Sequence, residues 1–107
     1  MPVPLYQAKA ELLRTLGHPA RIRILELLSE RDHAVHELLE QIEIEPSNLS
    51  QQLAVLRRTA LVTSHRRDGG VVYSISVPEV RDFLLSARRV LAGLATAQSD
   101  FVPELTR

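Results

Sequence analysis

Residues 46–76, PSNLSQQLAVLRRTALVTSHRRDGGVVYSIS, decide the fold. Pro46 and Ser47 are a helix start signal, and Leu49, Leu53, Leu56 and Ala60 follow at intervals of four, three and four. At ~100° per residue that spacing confines them to one narrow apolar stripe. Ser47, Gln51, Ala54 and Arg58 fall on the opposite side, with Ser50 and Arg57 flanking, and the helix carries no carboxylate. Val62 to Arg67 and Val71 to Ser76 then read as strands. Asp68-Gly69-Gly70 between them is a hairpin turn, because Gly tolerates the positive φ that such loops demand.

Working outward, residues 5–16 place Leu5, Ala8, Leu12, Leu13 and Leu16 at helical spacing, and Gly17 closes that segment. Pro19 opens a second helix with Ile22, Ile24, Leu25, Leu27 and Leu28, running to about Ser29. A shorter helix spans about Val35–Ile42, with Leu38, Leu39 and Ile42 inward. Beyond the hairpin, Pro78 starts a long helix over about Glu79–Ala97, and residues 98–107 form a frayed tail. The predicted order is α-α-α-α-β-β-α, mainly α with a β-hairpin wing. That is a winged helix-turn-helix in a single domain over 1–107, with the helix-turn-helix at 35–60 and the wing at 62–76.

Such a helix enters the major groove, where Gln pairs with adenine and Arg with guanine, while a basic hairpin reaches phosphate or the minor groove. The expected DNA-binding residues are Ser47, Asn48, Ser50, Gln51, Arg57 and Arg58 on the helix and Arg66 and Arg67 on the wing, with Tyr73 bracing the hairpin. The competing view is that each polar side chain merely solvates a surface helix. Helix, turn, acid-free helix and basic hairpin in succession favour DNA.

The charge balance first argues the other way, since 13 basic and 13 acidic residues cancel. Locally they do not. Residues 1–25 carry a net +3, residues 26–45 a net −6, and residues 46–76 a net +3. An acidic block therefore precedes a basic one. With 107 residues the chain has room for one domain at ~100–200 residues per domain. Aromatics are only 4% and Trp is absent, so aliphatic side chains must fill the core. The absence of Cys excludes a disulfide framework, a thiolate metal site and a cysteine nucleophile. No apolar run approaches the ~18 residues of a membrane span, and the Met1-Pro2-Val3-Pro4 start lacks signal-peptide character, so a cytoplasmic location is expected. No nucleophile elbow or phosphate-cradling glycine loop is present, and an enzyme is not expected.

Three stretches resemble the ArsR/SmtB winged-helix repressors of bacteria, in register over about residues 5–95. Leu16-Gly17-His18-Pro19-Ala20-Arg21-Ile22-Arg23-Ile24-Leu25 looks like the opening of that family's second helix. Ser47 to Leu56 looks like its recognition helix, and Arg67-Asp68-Gly69-Gly70-Val71-Val72-Tyr73-Ser74 like its wing. Where the family commonly has His after the second Ser of the recognition helix, Gln51-Gln52 stands here, so its sequence preference does not carry over. The resemblance implies a homodimer joined by the first and last helices, bound to an inverted-repeat operator on double-stranded DNA and blocking transcription until an inducer arrives.

Dimerisation also follows from the apolar surplus of the helices at 5–16 and 79–97. Leu5, Leu12, Leu16, Phe83, Leu84, Ala87, Val90, Leu91 and Leu94 are more than a small core can cover. A metal sensor is less legible. The family's Cys-Val-Cys-Asp-Leu run reads Ala34-Val35-His36-Glu37-Leu38 here, and the last helix has no His, only Asp82. Thiophilic ions are therefore not expected. His33, His36, Glu37 and Glu40 lie at i, i+3, i+4 and i+7 and would share one face if the helix begins early enough, a donor set suited to Ni or Zn. The alternative is a solvated polar face. His18 beside Pro19 reads as a capping or packing residue. A rival function is a protein-interaction module working through the acidic 26–45 surface, or a regulator dependent on a separate co-repressor protein.

Overall fold

Proline opens two of the helices because its missing amide costs nothing where the first turn has no partner to offer. The computed structural model describes residues 2–97. In order these are α1 (Leu5–Leu16), α2 (Pro19–Glu30), β1 (His33–Ala34), α3 (Val35–Gln41), α4 (Pro46–Arg58), β2 (Val62–Arg67), β3 (Gly70–Ile75) and α5 (Glu79–Ala97). They divide into two units, one reaching Val77 and one starting at Pro78. The expected frayed tail at 98–107 lies outside the described residues.

The first unit is built around the predicted stripe. Leu49, Leu53 and Leu56 of α4 are at most 1% exposed, as are Ile24, Leu25 and Leu28 of α2 and Leu38 of α3. Each fully buried leucine of this kind contributes about 1.5–3 kcal/mol. α2 packs on α4 and β3, α4 on β2, and α3 on β1 and β3. His18 caps α2, its Nδ1 accepting from the Ala20 amide at 3.2 Å.

Three features depart from expectation. A two-residue strand, β1, joins the hairpin to make an antiparallel sheet of order β1-β3-β2, with His33 opposite Tyr73 and Ala34 opposite Val72. Two residues carry no periodicity, so no sequence pattern announces them. Ala60, expected on the buried stripe, is exposed and left-handed at φ 63°, because α4 stops at Arg58 and the chain turns there into β2. The hairpin loop is also tighter than expected: Arg67 pairs with Gly70, leaving Asp68 (φ 51°) and Gly69 (φ 81°) as a two-residue turn with both central residues left-handed. That geometry matches the right-handed twist of the flanking strands.

The apolar surplus is real except at two positions. Leu5 (70%), Leu12, Phe83, Val90 (60%), Leu91 and Leu94 are exposed, and so are Tyr6, Leu13 and Leu85, which were not among the expected dimer residues. Ala87 is exposed and Leu84 half-buried. Leu16 is the larger correction: it is only 5% exposed, because its position at the end of α1 commits it to the protomer's own core. No helix among the described residues is long and apolar enough to cross a membrane.

Candidate nucleic-acid interface

Burial of the leucine stripe turns the other side of α4 outward, and Ser47, Ser50, Gln51, Ala54, Arg57 and Arg58 are all exposed there. Short hydrogen-bonding groups occupy the helix start and the two arginines its last turn, where they also complement the helix dipole. Asn48 differs from these neighbours. It is half-buried, and its Oδ1 accepts from Gln52 Nε2 at 2.9 Å. Gln52 is only 8% exposed, and its Oε1 accepts from Arg21 Nε at 2.8 Å. Arg21 in turn donates through Nη1 to the Thr15 carbonyl at 3.0 Å, near the end of α1. Four residues on α1, α2 and α4 thus form one polar chain beneath the recognition helix.

The sequence reading missed Arg21 and Gln52. Gln52 lies three residues after Leu49 and four before Leu56, on the edge of the apolar stripe, and that placement is the signal that marks it as inward-facing.

On the wing, Arg66 and Arg67 are both exposed. Successive strand residues point to opposite faces, so the two arginines diverge instead of acting as one cluster. Arg67 shares its face with His65, whose Nε2 lies 3.1 Å from Arg67 Nη2, and pairs with Asp32 Oδ2 at 3.0 Å. Asp32 precedes β1, so this pair ties the added strand to the hairpin. The Ser74 hydroxyl, buried without a hydrogen bond of ordinary geometry, together with Arg67 and His65, holds the Asp32 carboxyl below the usual aspartate range against the opposing cost of burial. Tyr73 is half-buried in β3 between His33 and Ser64, a bracing position.

The expected metal quartet is not assembled. α3 begins at Val35, so His33 is not on it; it lies in β1, 3% exposed, with Nδ1 2.8 Å from the Arg31 carbonyl. Glu37 is engaged as well. Its Oε1 accepts the Ala34 amide at 2.8 Å and its Oε2 pairs with Arg31 at 3.2 Å, so that the Ala34 amide and then Arg31 hold its carboxyl below the usual range. His36 and Glu40 remain exposed on α3. Among the described residues no group of three or more His, Asp or Glu is placed to hold a metal ion.

Comparison with known proteins agrees with this geometry. Residues 18–64, which run from the His18 cap into β2, match the bacterial regulatory protein family described as arsR. The chain is 56% identical over 90 residues to the HTH-type transcriptional regulator Rv0081 of Mycobacterium tuberculosis, covering 83% of this chain and 79% of that one. The crystal structure of Rv0081 superposes with a TM-score of 0.80 at 52% identity, covering 90% of this chain and 97% of the other. HlyU from Vibrio cholerae superposes with a TM-score of 0.71 at 34% identity, over 82% and 97% of the two chains. A homodimeric winged helix-turn-helix DNA-binding domain from Mycobacterium bovis, Mb0332, shares the fold at 20% identity with a TM-score of 0.72, over 94% and 91%. Rv0081 is named as a transcriptional regulator and HlyU of Vibrio cholerae as a transcriptional activator. With its leucine-anchored α4, its basic hairpin and a relative 56% identical over 83% of its length, the chain belongs to the ArsR family of DNA-binding winged helix-turn-helix transcriptional regulators.

Proposed function

We propose that the chain is a homodimeric repressor that sets α4 of each protomer into the major groove of an inverted-repeat operator. The observation that carries this reading is the exposed, acid-free side of α4, with Ser47, Ser50, Gln51, Arg57 and Arg58 facing away from a fully buried leucine stripe. Gln51 supplies the bidentate amide for a base edge, Arg57 and Arg58 supply guanidinium groups for guanine or phosphate, and Arg66 and Arg67 of the wing supply phosphate contacts. Helix ends bearing Ser and a free first turn suit phosphate as well.

The dimer rests on the exposed Leu5, Leu12, Phe83, Ala87, Val90, Leu91 and Leu94 of α1 and α5, with Leu84 half-buried among them, too much apolar surface to leave in water. Two-fold pairing places the recognition helices about one DNA turn (~34 Å) apart, which makes the preferred duplex palindromic. The test is selection of a duplex from a randomised pool, followed by anisotropy titration over a range of salt. A palindromic winner bound by a dimer, with log affinity falling steeply against log salt, supports the reading. Failure to bind any duplex at low salt overturns it. Placement of the selected duplex across a reporter promoter then reads the sign of regulation, with lower expression expected.

A further inference from the structure

The polar chain beneath α4 fixes the chemistry of one interface residue. Arg21 has no acceptor atom, so the group it touches on Gln52 must be the amide oxygen. That leaves the Gln52 amide nitrogen facing Asn48, and a nitrogen donor requires the Asn48 oxygen opposite it. One arginine thereby sets the orientation of two successive amides. Among the described residues Asn48 Nδ2 has no hydrogen-bond partner, and it is not fully buried, on the first turn of α4. An asparagine that reads adenine needs both its oxygen and its nitrogen for the base. Here Gln52 already occupies one of the oxygen's two acceptor positions and fixes its direction toward the protein.

We propose that Asn48 is a fixed donor in the DNA interface, offering Nδ2 to an acceptor on the duplex, either a phosphate oxygen or a base-edge acceptor. The Arg21–Gln52 pair, half-buried at Arg21 and buried at Gln52, is the positioning element that sets this polarity. The inference rests on the proposal above that α4 faces DNA. Gln52 itself, 8% exposed, acts only through Asn48.

The test is a double-mutant cycle of Asn48→Ala and Gln52→Glu, read by anisotropy on the duplex selected by the unaltered protein, with circular dichroism confirming the fold. Glutamate at 52 keeps an oxygen for Arg21 but has no donor for Asn48, so the Asn48 amide turns over and presents its oxygen outward. Each single variant is expected to weaken binding about tenfold, a loss in the range of one hydrogen bond to a charged or well-aligned acceptor. In the Asn48→Ala background Gln52→Glu is expected to have no further effect, whereas a general charge effect would persist and add. Additive losses overturn the positioning role. Unchanged affinity of Asn48→Ala overturns the donor role, and that arm stands even if Gln52→Glu fails to fold. The source of the acceptor follows from a panel of base-substituted duplexes: Asn48→Ala loses selectivity at one base pair if the acceptor is a base edge and weakens all duplexes equally if it is phosphate. Gln51→Ala and Arg58→Ala run in parallel separate the two levels of the argument. If both are silent, the DNA-facing reading of α4 fails; if they weaken binding while Asn48→Ala does not, only the donor assignment fails.

Discussion

Arg67 and Gln51 are expected to fail differently when removed, because one meets phosphate and the other base edges. Arg67→Ala should weaken binding to every duplex and lower the salt dependence by about one counterion unit, measured as the slope of log affinity against log salt. Gln51→Ala should cost about 1–3 kcal/mol on the selected duplex and little on unrelated ones. Arg67 is held by Asp32 in the free protein, so it must exchange a carboxylate for a phosphate on binding. The Asp32 pKa lies below its ordinary value, so the carboxylate favours the folded state in its charged form. That contribution is fully present above the ordinary aspartate pKa of ~3.9 and is lost as pH falls through the lower folded value. The pair is partly exposed and worth less than about 1 kcal/mol. Thermal unfolding of Asp32→Asn should therefore lie slightly below that of the unaltered protein at neutral pH and converge with it in acid.

Among the elements, α4 and its exit carry the clearest consequences. Ala60 sits at φ 63°, where a Cβ crowds the following carbonyl at a cost of roughly 1–2 kcal/mol. Ala60→Gly should stabilise the protein by about 1 kcal/mol in denaturant titration, less the entropy glycine adds to the unfolded chain. Gly69 lies at φ 81° with open space around the position of a Cβ, so a substitution there is opposed by the backbone and not by crowding. Gly69→Val should loosen the hairpin, seen as faster amide exchange in β2 and β3, while α4 stays protected. A turn within Asp68-Gly69-Gly70 was legible in sequence because these residue types tolerate left-handed backbone, though not that Gly70 would join β3. β1 was not, since pairing of two residues with β3 is a property of the sheet and not of His33 and Ala34.

For the whole molecule the decisive quantity is the apolar surface that one chain leaves uncovered. Val90 is 60% exposed on α5 and Leu5 70% exposed on α1. Val90→Glu should leave the fold intact, since little of the side chain is buried, and shift the sedimentation of the protein from dimer to monomer. Affinity for a palindromic duplex should fall with it, because one half-site retains only one recognition helix. Zero net charge, in contrast, says little at this scale. The −6 of residues 26–45 is partly spent inside the protein, Asp32 on Arg67 and Glu37 on Arg31 and the Ala34 amide.

The helix order, the buried leucines of α4, the outward Ser, Gln and Arg side chains and the place of the wing turn were legible in sequence alone, because each depends on spacing or on the conformational limits of single residues, whereas the exit at Ala60 and the length of the turn were not. The sequence also exposed the apolar surplus, although Leu16 was settled only by its burial. Tertiary structure decided everything that depends on two segments meeting. It took His33 out of the supposed metal face by pairing it into a sheet, and brought Asp32 against the wing across 35 residues of chain. It also placed Arg21 beneath Gln52, 31 residues away, and so fixed which atom of Asn48 is left for a partner. Periodicity records which side of a helix is wet, but the direction of a hydrogen bond is set only when donor and acceptor are in contact.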